Sequence, residues 1–185
     1  MSAERAFRKI QLALDEAGVP YMVTGSFASS VHGEPRASKD IDIVIAPTRE
    51  QLIAFIRLFP PDQYYAQEED ALDAMAHTSI FNIIDFETGW RIDFIFRRDR
   101  PFSLEEFNRR RVVDVAGLRL FVAAPEDILI AKLEWAKMGE SERQLEDAAN
   151  VLRIQRDSLD FRYVERWVRE LELTDQWEAA KTRAL

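Results

Sequence analysis

The sequence predicts an α+β fold, a mixed sheet flanked by helices followed by a C-terminal helical lobe, and three observations carry that reading. Apolar residues recur at every second position, at Ile41, Ile43 and Ile45 and at Trp90, Ile92, Phe94 and Phe96, the pattern of strands with one buried face, and residues 79–87 pair with the second of these as a hairpin. Hairpin-like and irregular connections join these segments, not regular strand–helix–strand units. After Pro125 the apolar period becomes helical and stays so to the end of the chain. The expected division is a residue 1–124 domain and a residue 125–185 helical lobe packed on it.

The elements follow in order. Ala3 to Ala17 reads as an amphipathic helix, with Phe7, Ile10, Leu14 and Ala17 at helical spacing and Gly18 at its end. Tyr21 to Thr24 is a short strand. Gly25 to about His32 is a short helix, which Gly33-Glu34-Pro35 breaks. Asp40 to Ala46 is the next strand. Thr48 caps a helix that runs to about Phe59, where Pro60-Pro61 ends it. Glu68 to Ala76 reads as helical. Ser79 to Glu87 and Trp90 to Phe96 form a hairpin about Thr88-Gly89, and a two-residue turn sets Ile84 opposite Asp93 and Asp85 opposite Ile92. Val112 to Val115 and Leu118 to Val122, around Gly117, close the sheet. Glu126 to Lys137, Ser141 to Ile154, Phe161 to Leu171 and Thr174 to Ala184 are the helices of the lobe.

Composition narrows the chemistry. With 47% apolar residues and 12 Phe in 185 residues, the chain can build a core, and disorder is not expected. The absence of cysteine excludes a disulfide scaffold, a thiolate metal site and a thiol nucleophile, and two histidines are too few for a histidine-rich metal cage. Any metal must be held by oxygen, which favours Mg²⁺ or Mn²⁺. The first ten residues carry no apolar signal region and no apolar run approaches the roughly 18 residues of a membrane span. A cytoplasmic protein without a membrane partner is expected. The net charge of −8 argues against broad DNA or RNA binding. Two basic clusters, Arg97, Arg98 and Arg100, and Arg109 to Arg111, are either solvated faces balancing Glu105 and Glu106 or contacts to a substrate backbone.

The chemistry concentrates in three carboxylates. Successive side chains of a strand point to opposite faces, so Asp40 and Asp42 project together while Ile41, Ile43 and Ile45 project the other way. Two adjacent carboxylates repel each other, and a shared divalent cation relieves that repulsion. In the second hairpin strand Trp90, Ile92, Phe94 and Phe96 form the apolar face, which assigns Arg91 and Asp93 to the other side and makes Asp93 the third carboxylate. The alternative is a solvated acidic face. Upstream, Gly25 allows close backbone approach, and Ser26 with the N–H groups of the following helix offers donors to the β- and γ-phosphates of a nucleotide. Arg36 and Lys39 precede the first acidic strand and either neutralise triphosphate charge or lie in a solvated loop. Arg91 either contacts phosphate or pairs with an aspartate. His32 reads as a helix-end residue, and Trp135 and Trp167 read as core or lobe-interface residues.

This constellation suits nucleotidyl transfer, in which cations hold the triphosphate and activate the attacking hydroxyl. The Gly25-Ser26 pair, the Asp40-Ile41-Asp42 strand and the separate Ile92-Asp93-Phe94 strand resemble the DNA polymerase β-like nucleotidyltransferase superfamily. More narrowly, RASKDIDIVI together with APEDILIAKLEWAKMGESERQLEDAANVL is similar to the minimal nucleotidyltransferases related to AbiE-type toxins of bacterial toxin–antitoxin systems. The resemblance covers about Gln11 to Leu171. It implies that Asp40, Asp42 and Asp93 bind Mg²⁺, that NTP is the nucleotide donor, and that Lys132 and a downstream aspartate, best matched by Asp147 at a shorter interval than in the toxin enzymes, are needed for activity. Lys132 lies on an apolar helix face with Ile128, Leu129 and Leu133, either reaching a phosphate or snorkelling to solvent. The acceptor hydroxyl is open between RNA or tRNA, a small molecule and a protein. The alternative function is a catalytically silent protein of this type that binds a partner such as a cognate antitoxin.

Overall fold

A computed structural model of the chain describes residues 2–34, 40–115, 117–139 and 141–185. In chain order the elements are α1 (Ser2–Glu16), β1 (Tyr21–Thr24), α2 (Gly25–His32), β2 (Asp40–Ile45), α3 (Arg49–Ile56), β3 (Tyr64–Tyr65), α4 (Glu68–Ala76), β4 (Ile80–Asp85), β5 (Arg91–Phe96), α5 (Pro101–Arg109), β6 (Arg111–Val115), β7 (Leu118–Val122), α6 (Pro125–Gly139), α7 (Glu142–Gln155), α8 (Phe161–Glu170) and α9 (Thr174–Arg183). They form two compact units. The first joins Met1–Val23 to Ser38–Val122, and the second joins Thr24–Ala37 to Ala123–Leu185, so α2 groups with the C-terminal helices.

The first unit is built on a seven-stranded sheet of order β3-β4-β5-β2-β1-β7-β6. β2 pairs with β5 and β1 with β7 in parallel, while β3–β4, β4–β5 and β6–β7 are antiparallel. The mixed sheet with flanking helices is the fold class expected from the sequence. In β2, β4 and β5 alternate residues are buried, so Ile41, Ile43 and Ile45, Phe81 and Ile83, and Ile92, Phe94 and Phe96 face the core. Aromatic rings fill that side. Phe55 of α3 meets Phe94 edge-on at 5.1 Å between ring centroids, and Phe81 stacks on Phe94 at 5.2 Å. Each such buried side chain contributes about 1.5–3 kcal/mol by leaving water, which fixes which face of the sheet remains for polar residues.

α3 begins with a capping box in which the Thr48 hydroxyl accepts from the Gln51 N–H at 3.3 Å and the Gln51 side-chain oxygen accepts from the Thr48 N–H at 2.8 Å. Thr48→Ala is expected to lower stability by about 1 kcal/mol, measurable by denaturant unfolding. The helix ends at Ile56, three residues before the expected Phe59, because Leu58 and Phe59 bond back three residues, to Phe55 and Ile56, in tighter turns ahead of Pro60. Two elements escaped the sequence reading: the two-residue β3, too short to show a period, and α5, whose signal was Pro101 in the first helical turn and buried Phe102 and Phe107.

The hairpin register differs from the expectation. Asn82, not Ile84, is opposite Asp93, and Ile83, not Asp85, is opposite Ile92. The connection is a four-residue loop, Phe86 to Gly89, closed by bonds between Asp85 and Trp90 and from the Gly89 N–H to the Asp85 carbonyl. The Asp85 carboxylate accepts the Glu87 N–H at 2.9 Å, and Arg5 and Lys9 of α1 pair with Glu87, so side-chain chemistry holds the wider loop. A shift of two residues preserves side-chain parity. Asp85 is accordingly buried on the core side, away from the face of Asp93.

In the second unit α6, α7, α8 and α9 enclose Leu129, Leu133, Ala148, Val164, Trp167 and Trp177. Trp167 is core, as expected, whereas Trp135 is 49% exposed. α2 lies close to α7: a Cβ on Gly33 would stand 2.9 Å from the Ser29 carbonyl and 3.3 Å from the Val151 nitrogen, and Gln155 donates to the His32 carbonyl at 2.8 Å. No helix among the described residues is long and apolar enough to cross a membrane.

Candidate active site

The side of the sheet opposite the aromatic core carries the acidic residues. β2 and β5 run parallel and in register, so Asp42 sits beside Asp93 and Asp40 beside Arg91. Neighbouring strands are about 4.8 Å apart. Asp40, Asp42, Arg91 and Asp93 all occupy the non-core positions of their strands, and the three aspartates share one face. β4 adds Asn82 on the far side of Asp93 and Ile84 on the far side of Arg91. A two-residue turn would put Ile84 in this place, so the sequence pattern does not mark Asn82.

Arg91 organises the charge on this face. Its Nη2 donates to Asp93 Oδ2 at 2.8 Å and its Nε lies 3.6 Å from Asp40 Oδ1. The hydrogen bond to Asp93 and the Asp93 charge, followed by the charges of Asp40 and Asp42, push the guanidinium further above its already high range. Of the two roles open to Arg91, the structure displays pairing with aspartate. Among the described residues, no group of three or more histidine, aspartate or glutamate side chains stands close enough together to hold a metal ion. The donor chemistry nevertheless fits Mg²⁺ or Mn²⁺: three carboxylates on one rigid face, all oxygen, with two of them on directly paired residues.

Gly25 and Ser26 lie where β1 passes into α2. Gly25 has φ +63°, the left-handed region that costs a residue with a Cβ about 1–2 kcal/mol. Thr24 contributes no side-chain cap to α2. The Ser29 and Ser30 hydroxyls donate to the Gly25 and Ser26 carbonyls at 2.9 and 3.0 Å. His32 ends the helix, as expected, with Nε2 donating to the Ala123 carbonyl at 2.8 Å. Arg36 and Lys39 lie outside the described residues.

Among solved structures, the chain is similar to ANT(2'')-Ia in complex with adenylyl-2''-tobramycin, with a TM-score of 0.61 and 14% identity over 93% of this chain and 98% of that chain. It is similar also to the solution structure of the antibiotic-resistance factor ANT(2'')-Ia, with a TM-score of 0.58 and 15% identity over 98% and 97%. The chain has the nucleotidyltransferase fold. An antigenic nucleotidyltransferase-like protein from Paracoccidioides brasiliensis matches with a TM-score of 0.55 and 16% identity over 93% of this chain and 89% of that one. No family model and no curated protein matches the chain.

Three further features of this nucleotidyltransferase fold bear on the expected site residues. Lys132 of α6 is 4% exposed, with Nζ donating to Asp147 Oδ2 at 2.9 Å and Gln144 Oε1 at 2.8 Å, both on α7. It is therefore not a snorkelling lysine; its ammonium ends on a buried carboxylate. The two basic clusters meet at one ring: the guanidinium carbons of Arg97 and Arg110 stand 5.6 and 4.3 Å from the centroid of Phe107. Burial, then the nearby charge of Arg97, pushes the Arg110 guanidinium below its ordinary range. Finally, a hollow of about 460 Å³ is lined by Tyr65, Asp70, Asp73, Ser79, Ile80 and Asn82 among others, with no lysine or arginine among the described residues of its wall. Asn82, shared between the hollow and the acidic rungs, connects it to Asp93.

Proposed function

We propose that this protein transfers a nucleoside monophosphate from a nucleoside triphosphate to an acceptor hydroxyl. The observation that carries the reading is the in-register pairing of Asp42 with Asp93 on parallel strands, with Asp40 on the same face. These three carboxylates would hold Mg²⁺ or Mn²⁺, which when bound neutralises triphosphate charge and makes the acceptor hydroxyl more acidic. The acceptor oxygen forms a bond to the α-phosphorus as the bond from that phosphorus to the β-bridging oxygen breaks, and pyrophosphate leaves. Asp93, the less exposed of Asp40 and Asp93 with 16% of its side chain in solvent against 54%, takes the hydroxyl proton. Gly25 and Ser26 contribute backbone and hydroxyl donors to the phosphates and Arg36 and Lys39 contribute positive charge, while the Lys132 ammonium stays on Asp147. NTP supply places this activity in the cytoplasm.

For the acceptor we favour a small, uncharged or cationic hydroxyl compound. The hollow beside Asn82 carries carboxylates and, among the described residues, no basic side chain, and the chain's net charge of −8 repels a polyanion. The similar structure of ANT(2'')-Ia is in complex with adenylyl-2''-tobramycin, an amino-sugar compound that carries the adenylyl group on a hydroxyl oxygen. An RNA or tRNA acceptor, and with it a toxin role paired to an antitoxin, is the competing substrate assignment. The test is incubation of the pure protein with Mg²⁺ and each labelled NTP, with total RNA, with a panel of amino-sugar alcohols, or with neither. Label on a low-molecular-weight product is expected, and label on RNA would transfer the assignment to the toxin reading. A second reading, a catalytically silent partner-binding protein, is favoured by Arg91 occupying the acids. Calorimetry that detects no Mg²⁺-dependent NTP binding would select it.

A further inference from the structure

The Asp93 Oδ2 that accepts from Arg91 at 2.8 Å, and the Asp40 Oδ1 at 3.6 Å from its Nε, belong to the same carboxylates that a divalent cation would need. Strand register explains how one side chain reaches both. Arg91 is two residues before Asp93 on β5 and directly beside Asp40 on β2, while its other neighbour, Ile84 on β4, offers no acceptor. The guanidinium therefore leans across the acidic side. A metal bound to these carboxylates must come within about 2.1 Å of its oxygens, where it would compete for the lone pairs that accept from Arg91 and be repelled by the guanidinium charge. Half of the Arg91 side chain is already in solvent, so rotation away from Asp93 exposes little that is now buried.

We propose that Arg91 is a positioning residue that competes with the divalent cation: it holds Asp93 and Asp40 in place on the sheet and must release them before metal binds. This rests on the nucleotidyl-transfer reading, in which the three aspartates are the ligands. It accounts for the coexistence of three carboxylates on one face with the absence, among the described residues, of a group gathered tightly enough for a metal. The guanidinium takes the role of the counter-charge and sets the spacing of the acids. A lysine at this position would keep the charge but lose the fork that spans two carboxylates.

The measurement is Mn²⁺ binding to the full chain without nucleotide, followed by electron paramagnetic resonance of the free ion. Arg91→Gln is expected to tighten Mn²⁺ binding about tenfold relative to wild type, Arg91→Lys by less, and Arg98→Gln, which removes the same formal charge at an exposed position, not at all. Asp42→Asn is expected to abolish binding. Circular dichroism of each variant verifies folding. Equal or weaker Mn²⁺ affinity in folded Arg91→Gln, with wild type binding and Asp42→Asn not, overturns the competition while leaving the transfer reading intact. An equal gain in Arg98→Gln also overturns it, since the effect would then be general charge. If neither wild type nor Arg91→Gln binds Mn²⁺, both readings fall.

Discussion

Asp42→Asn is expected to reduce nucleotidyl transfer by about 10²–10³-fold or more while leaving the fold unchanged. Asp42 is the central acid of the face, flanked in its own strand by the fully buried Ile41 and Ile43 and paired across the sheet with Asp93. Asparagine has nearly the same shape, so the buried side of β2 keeps its packing, and only the negative charge is lost. Relief of repulsion between neighbouring acids leaves the thermal midpoint equal or higher. Turnover in this variant that matches wild type, measured with labelled NTP and a working acceptor, would remove the enzymatic reading. Loss of turnover together with loss of the circular dichroism spectrum would instead show that the acid supports the fold.

The second large effect is expected at Lys132. Its ammonium and the Asp147 carboxylate are 2.9 Å apart, with only 5% and 6% of the two side chains exposed. Removing one member of a buried ion pair costs about 3–5 kcal/mol. Lys132→Met should therefore lower the midpoint of thermal unfolding by roughly 10 °C for a chain of this size. Asp147→Asn in the same background should recover part of the loss, and the four-variant cycle isolates the coupling. Lys132→Met with an unchanged midpoint and lost transfer would point the other way, to a lysine that acts on substrate as the family resemblance implies.

How far the sequence could be read depends on which interactions are local. The parity of β2 and β5 was legible because Ile41, Ile43, Ile92 and Phe94 leave no other apolar face, and parity alone brings Asp40, Asp42 and Asp93 to one side of the sheet. The hairpin register was not legible, since the Asp85 carboxylate and the hold of Arg5 and Lys9 on Glu87 widen the loop, and the latter two come from a helix far away in sequence. Asn82 was hidden for the same reason. Arg91 could be assigned to the right face but not to a partner, because a strand pattern says where a side chain starts and not which charge it meets. The apolar face that carries Lys132 is legible from Ile128, Leu129 and Leu133; its burial against Asp147 depends on how α6 and α7 cross, which a helical period does not encode. α5 is short, and its local signal, Pro101 with Phe102 and Phe107, sits among arginines that read equally well as a charged surface loop.

The parallel ladder between β2 and β5 also has a biosynthetic consequence. Its two strands are separated by α3, β3, α4 and β4, so the pairing must wait for a long loop to close. During translation, a nascent chain that has emerged only as far as the hairpin loop possesses Asp40 and Asp42 but no Asp93. Whatever this acidic row does for its cell, an incomplete product released early from the ribosome cannot do it.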